Sequence, residues 1–201
     1  MGLLEQWGVT LDELNEILAS RPSLRGILIG FIAEYKLSQM WFTDPRIDKL
    51  ERYKNHDCTR PGDFGFLYKG LPISVQVKSL QTNSIRRTET GCTGTFQCDA
   101  SDKRSVTLPS GQIVETTCLV VGGFDLLAIN LFEFGQEWRF AFAKNSDLPR
   151  TKSSKYTSEQ CQYLLATSIR ITWSLLPPFY EEPFGILDTI VAERQRREIH
   201  R

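Results

Sequence analysis

The chain has 201 residues, 41% of them hydrophobic, and balances 24 Lys and Arg against 24 Asp and Glu. That length and apolar content suffice for one self-contained core. The sequence holds no run of about 18 uncharged apolar residues, and Met1-Gly2-Leu3-Leu4-Glu5 lacks the basic start of a secretory signal, so a soluble cytoplasmic protein is expected, with no membrane partner. The five cysteines are odd in number and form no CxxC pair, which speaks against a disulfide framework or a zinc ribbon. His56-Asp57-Cys58 has poor ligand spacing for zinc, and His56 and His200, the only histidines, build no convincing Ser/His/Asp triad. P-loop, dinucleotide and HExxH patterns are absent.

In chain order, Thr10 with Glu13 three residues on predicts a capped helix to about Ala19. A longer helix is expected over Leu24 to Trp41, with Leu24, Ile27, Leu28, Phe31 and Tyr35 as its core-facing stripe and Glu34 as the one acid in that neighbourhood. An apolar run, Phe64 to Tyr68, and an alternating run, Ile73 to Leu80, then predict a hairpin closed by Lys69-Gly70. With Tyr68 opposite Leu71, Asp63 falls opposite Gln76, and Asp63, Gln76 and Lys78 share the sheet face that Ile73, Val75 and Val77 do not. Residues 82–118 read as a β-rich insertion with strands at Thr95–Cys98, Ser105–Leu108 and Gln112–Thr117, and the polar stretch around Asp99 and Asp102 as a solvated turn. The run 124–132 reads as a central strand covered on both faces, with Asp125 as a strand-edge acid bonded to backbone groups. Its hairpin partner spans about 137–143. A helix over about 158–168 follows, capped by Thr157 with Gln160, then a last core strand at about 169–175 and a basic-ended helix at 183–201.

The chemistry lies in Pro61-Gly62-Asp63 and Gln76-Val77-Lys78. Phosphodiester hydrolysis needs an activated water and relief of charge on the phosphate, and a hard divalent cation supplies both. Mg²⁺, with Mn²⁺ as substitute, accepts a carboxylate, amide or backbone carbonyl oxygens and phosphate oxygens together with water. Asp63, the Gln76 side chain, the Val77 carbonyl and Glu34 are therefore the candidate metal ligands, and Lys78 the group that meets the attacking water and the phosphate. Residues 51–110 carry nine basic and six acidic residues. Within them Arg86, Arg87, Lys103 and Arg104 are candidate phosphate contacts, and Gln81, Thr82, Asn83 and Ser84 candidate readers of base edges.

On these residues the chain resembles the restriction-endonuclease-like, or PD-(D/E)xK, nuclease superfamily. The resemblance implies an α/β fold: a mixed central sheet flanked by helices, an αβββαβ core over about 24–175 with extra β-hairpins, in one nuclease domain spanning 1–201. It implies that Asp63 is the motif aspartate, Gln76 stands at the second acid position, Lys78 is the motif lysine and Glu34 is the first-helix acid. The chain departs from the pattern in the glycine between Pro61 and Asp63 and in Gln76 for Asp or Glu. The implied activity is Mg²⁺-dependent cleavage of double-stranded DNA, restriction-enzyme-like, by a homodimer. A homing or repair nuclease would use the same residues. A catalytically inactive nucleic-acid-binding protein on this fold, or a protein-interaction domain, is the reading from another class.

Overall fold

The computed structural model describes residues 2–53, 60, 62–89 and 91–199. His56, Cys58, Pro61 and His200 lie outside the described residues. The chain runs α1 (Leu3–Trp7), α2 (Leu11–Ser20), α3 (Pro22–Trp41), β1 (Ile47–Arg52), β2 (Phe64–Tyr68), β3 (Leu71–Ser79), β4 (Arg86–Thr88), β5 (Gly91–Gln97), β6 (Asp99–Thr107) and β7 (Ile113–Cys118). It continues through β8 (Leu126–Asn130), α4 (Phe132–Gly135), β9 (Phe140–Lys144), α5 (Ser158–Tyr163), β10 (Ser168–Trp173) and α6 (Phe184–Ile199). The result is a mixed α/β protein built on a five-stranded sheet of order β1-β2-β3-β8-β9. In it only β3 and β8 pair in parallel.

The predicted hairpin forms in the predicted register: Tyr68 pairs with Leu71, Phe66 with Ile73 and Phe64 with Val75. Lys69 and Gly70 both have positive φ, 51° and 78°, the turn geometry that matches the natural twist of two joined strands. One face of the sheet, carrying Phe64, Phe66, Ile73, Val75, Val77 and Phe142, is sealed by Ala33 and Leu37 of α3 and by Leu187 and Ile190 of α6. The other face, with Leu127, Ile129 and Ala141, packs on Phe96, Ile169 and Ile171 of a second sheet, β10-β5-β4. Strand β8 is thus enclosed from both sides, and all five of its residues are buried, as its unbroken apolar run requires. Among the described residues no helix is long and apolar enough to cross a membrane.

Four expectations are corrected. The strand expected at 169–175 does not join the central sheet: β10 pairs with β5, from Ser168↔Gln97 to Trp173↔Cys92. The outer edge of β9 is instead engaged by Tyr180, which exchanges backbone hydrogen bonds of 2.8 and 2.9 Å with Phe142. The polar segment around Asp99 and Asp102 is not a turn but the first half of β6, whose pairing with β7 is interrupted by an irregularity between Asp99 and Arg104. A further strand, β1, borders β2. Its Asp48, Lys49, Glu51 and Arg52 conceal any alternation, as is common for an edge strand protected by charge.

The fourth concerns α3. Its expected core stripe is exposed, and Ala33 and Leu37 are its buried residues. At 100° per residue these lie roughly 200° around the helix from Phe31 and Tyr35, so the small side chain, not the aromatic ones, faces the sheet. The helix ends agree better. Thr10 Oγ1 accepts from Glu13 N while Glu13 Oε2 accepts from Thr10 N, and Thr157 and Gln160 repeat the reciprocal pattern.

The central sheet's packing predicts a large cost at Phe142, which is fully buried and meets Trp41 edge-on at 5.3 Å. Phe142→Ala should lower unfolding stability by about 3–5 kcal/mol in chemical denaturation, whereas Ile113→Ala, on a residue 70% exposed, should change it little.

Candidate active site

Asp63 directly precedes β2 and is fixed by its backbone. Its N–H donates to the Val75 carbonyl at 2.7 Å and its carbonyl accepts from Tyr53 N at 2.9 Å. Gly62 precedes it at φ 84°, where a Cβ would stand 2.4 Å from the Val75 oxygen. Only glycine accommodates both that dihedral and that approach. The Asp63 carboxylate points along β3, and its Oδ2 accepts from Gln76 Nε2 and Val77 N, each at 2.6 Å. The expected pairing of Asp63 with Gln76 is therefore a direct contact.

Val77 contributes its carbonyl by strand alternation. Carbonyls two residues apart in a strand point the same way, and since that of Val75 is directed at Asp63, that of Val77 is directed to the same side, one step further along.

Glu34 stands on α3, and its Oε2 accepts from Arg52 of β1, at 2.9 Å from Nε and 2.7 Å from Nη2. Burial pushes the Glu34 carboxyl above the ordinary range, and the Asp63 charge pushes it further, against the pull of Arg52. Asp63 is raised likewise, first by burial, while the Val77 N–H, Lys78, Arg52 and the Gln76 amide oppose the shift. Two carboxyls from distant parts of the sequence thus share one electrostatic environment with a single arginine between them. Arg52 was not foreseen: nothing in the unpatterned segment Ile47–Arg52 marks it as facing the first-helix acid.

Lys78 shares the strand face with Gln76, but its amine turns toward the β5–β6 junction and donates to the Asp99 carbonyl at 2.8 Å. It lines a polar cleft of about 380 Å³ together with Ser79, Gln81, Gln97, Asp99 and Thr117. Its charge still reaches Asp63 and Asp99, lowering both carboxyls against their burial. The structure joins Asp63, Gln76 and Val77 by contact, adds Glu34 by field, and sets Lys78 beside them with its head anchored elsewhere.

Other candidate residues divide. Arg86 and Arg87 lie exposed on β4, the first bonded to the Asn83 and Ile85 carbonyls and the second to those of Glu133 and Phe134. Carbonyl partners orient these guanidiniums without neutralising them. Lys103 is exposed and Arg104 half-buried on β6. Gln81 and Ser84, expected near base edges, are tied into the fold: the Gln81 amide oxygen accepts from Thr95 Oγ1, and Ser84 Oγ bonds the Gln81 and Thr95 backbone. Asp125 is bonded to backbone as expected, accepting from Ser74 N at 2.8 Å, and also pairs with Arg194 of α6. The Cys98 thiol is pushed up to about 12 by burial, which makes it inert.

Among the described residues no group of three or more His, Cys, Asp or Glu side chains is placed to hold a metal. The donor set that can do so is mixed: two carboxylates, Asp63 and Glu34, and the Val77 carbonyl. Hard oxygen donors of this kind suit Mg²⁺ with several retained waters. Gln76 does not fit as oriented, because its NH₂ rather than its carbonyl oxygen faces Asp63. It becomes a ligand only if the amide turns over, which would set two oxygens against each other unless a cation lay between them.

The fold and this site define a mixed α/β protein with an aspartate at the end of a β-hairpin and a second acid on α3 within its electrostatic reach. No family model matches the chain, and no curated protein matches it. Among solved structures, a bacterial homing endonuclease, I-Ssp6803I, is similar at 18% identity, covering 71% of this chain and 87% of that one, with a TM-score of 0.33. So distant a likeness carries no inference about activity.

The two raised carboxyls generate a pH-dependent prediction. Each binds its proton more tightly in the folded state than in the unfolded one, so their contribution to stability is present at low pH and is lost as pH rises from the ordinary values of 3.8 and 4.5 through the elevated folded ones. In chelator, Asp63→Asn should therefore gain thermal stability relative to the unsubstituted chain as pH is raised from about 4 to 8, measured by differential scanning calorimetry.

Proposed function

We propose that the protein is a metal-dependent DNA endonuclease, with Asp63 and Glu34 as carboxylate ligands, the Val77 carbonyl as a third donor and Lys78 as the group that meets the scissile phosphate. The observation that carries this reading is the half-buried Asp63 carboxyl at the end of the hairpin that also bears Lys78, joined through Arg52 and through charge by the half-buried Glu34 of α3. A site that concentrates negative charge against its own desolvation is suited to a divalent cation.

A bound Mg²⁺ would supply charge relief at the phosphate and lower the pKa of a coordinated water. The chain's own part is positional. The Val77 N–H and the Gln76 amide hold Asp63 Oδ2 in one orientation, so the carboxylate need not reorganise. Arg52 bonds Glu34 and pulls its carboxyl down against the effect of burial. Lys78, released from the Asp99 carbonyl, can donate to a phosphate oxygen and orient the attacking water. The cations on β4 and β6 would contact the DNA backbone, an interaction weakened by salt. Cutting both strands is simplest with two copies related by a twofold axis, and a restriction, homing or repair role is compatible with the same chemistry.

One observation favours a second reading. The Gln76 amide presents its NH₂ to Asp63, an arrangement that holds the carboxylate without any cation and would serve a DNA-binding protein that has lost its metal.

Incubation of supercoiled plasmid and genomic DNA with Mg²⁺, Mn²⁺ or EDTA separates the two. The nuclease reading expects metal-dependent fragments, with Asp63→Ala and Lys78→Ala each reducing the rate by about 10³-fold or more while remaining folded by circular dichroism. Gln76→Glu, which adds a carboxylate, should lower the Mg²⁺ concentration needed for half-maximal cleavage. Salt-sensitive DNA binding with no cleavage in either metal would instead support the binding module.

A further inference from the structure

Residues 2–32 contribute no fully buried side chain to the core. No side chain of α1 or α2 is buried, and none of α3 is buried before Ala33. The α3 stripe from Leu24 to Tyr35 is open to solvent, with Ile27 59% and Tyr35 62% exposed, and Trp7 at 64%, Leu11 at 68% and Ile17 extend it onto α1 and α2. Helices of 5 and 10 residues are marginal in water unless an apolar face is covered. An apolar surface on this scale is uncommon on a soluble monomer.

We infer that this helical arm is the contact surface of a homodimer, packing against the same arm of a second copy about a twofold axis. The area agrees. With Leu3 included, the exposed portions equal roughly four to five whole side chains, on the order of 800 Å² at about 150–200 Å² each, which is what each partner contributes to an interface of standard size. The charges are self-complementary. Asp12, Glu13 and Glu16 lie on α2, and Arg21 and Arg25 lie at the start of α3; none forms an ion pair with another described residue. Antiparallel pairing of two arms sets the acidic helix of each against the basic end of the other, as an isologous interface requires. The arm as a whole is acidic, with Glu5 added to those three against two arginines, so an anionic lipid surface is disfavoured as the cover.

The surface also adjoins the carboxylate pair. Phe31 lies under Arg52, 5.7 Å from ring centroid to guanidinium, and Arg52 holds Glu34. Covering the stripe therefore removes water from the outer side of that ion pair, while the dimer itself does not depend on the nuclease reading.

Sedimentation equilibrium on the full chain from about 1 to 50 µM tests the inference. The expected mass is twice 23.0 kDa. Leu24→Asp combined with Ile27→Asp, two positions open to solvent in the single chain, should raise the dissociation constant by about 100-fold or more and give monomer over that range. Ile113→Asp, at a residue more exposed still but on β7, should leave the dimer intact. A wild-type mass of 23.0 kDa throughout, or a double variant that remains dimeric, overturns the assignment. Neither result depends on DNA cleavage, so it stands or falls separately from the proposed activity.

Discussion

Everything at the site depends on the register of one hairpin. A two-residue turn at Lys69-Gly70 fixes which residues of β2 and β3 face each other, and because side chains alternate, a slip of one position would exchange the two faces. In the observed register Phe64, Phe66, Tyr68, Ile73, Val75 and Val77 all enter the core beneath α3 and α6. Asp63 is thereby carried opposite Gln76, and its carboxylate reaches the Val77 amide. Burial of the aliphatic face and placement of the carboxylate are one constraint, so the hydrophobic energy that holds the hairpin also holds the chemistry. Parallel pairing with β8, from Val75↔Leu126 to Ser79↔Asn130, then locks β3 from its other side.

The site is a negotiated balance of charge. Burial raises both carboxyls, while Arg52 at each of them, and Lys78 and a backbone N–H at Asp63, oppose the shift. None of these cations neutralises Asp63 by direct contact: Arg52 is committed to Glu34 and Lys78 to a backbone carbonyl. Asp125, a third acid bordering the sheet, contrasts with them. It is bonded by Ser74 and by Arg194 and so ties α6 to the sheet. Asp63, held by amide N–H groups with no cation in contact, and Asp125, paired with Arg194, thus serve different ends.

Much of this was legible from residue patterns, and the failures have physical causes. The hairpin register, the buried β8 run and the Thr10 and Thr157 caps follow from local chemistry, and the structure keeps them. The α3 stripe followed the same logic and misled, because a helix with two apolar sides does not declare which one meets the sheet; Ala33 and Leu37 won since a small residue permits close approach. Strand β10 alternates correctly as a strand, but alternation carries no information about which sheet receives it. At the site, Asp63 with Gln76 was accessible through cross-strand pairing. The Lys78–Asp99 bond was not, since it joins β3 to a strand that the sequence presents as a polar turn. Arg52 was hidden for a similar reason, on an edge strand whose charges mask its period.

Gly62, which separates Pro61 from Asp63, has a structural role of its own. Its left-handed dihedral and the Val75 oxygen 2.4 Å from where a Cβ would stand mean that any other residue there must move either the turn or β3. The position carries no reactive atom, yet it sets the direction from which the chain delivers the aspartate. In a saturation library scored on function alone it would be indistinguishable from a ligand, intolerant of every replacement, and its sensitivity would report on the path of the main chain, not on chemistry. A variant with an ordinary side chain at this place must therefore bring Asp63 in along a different backbone route.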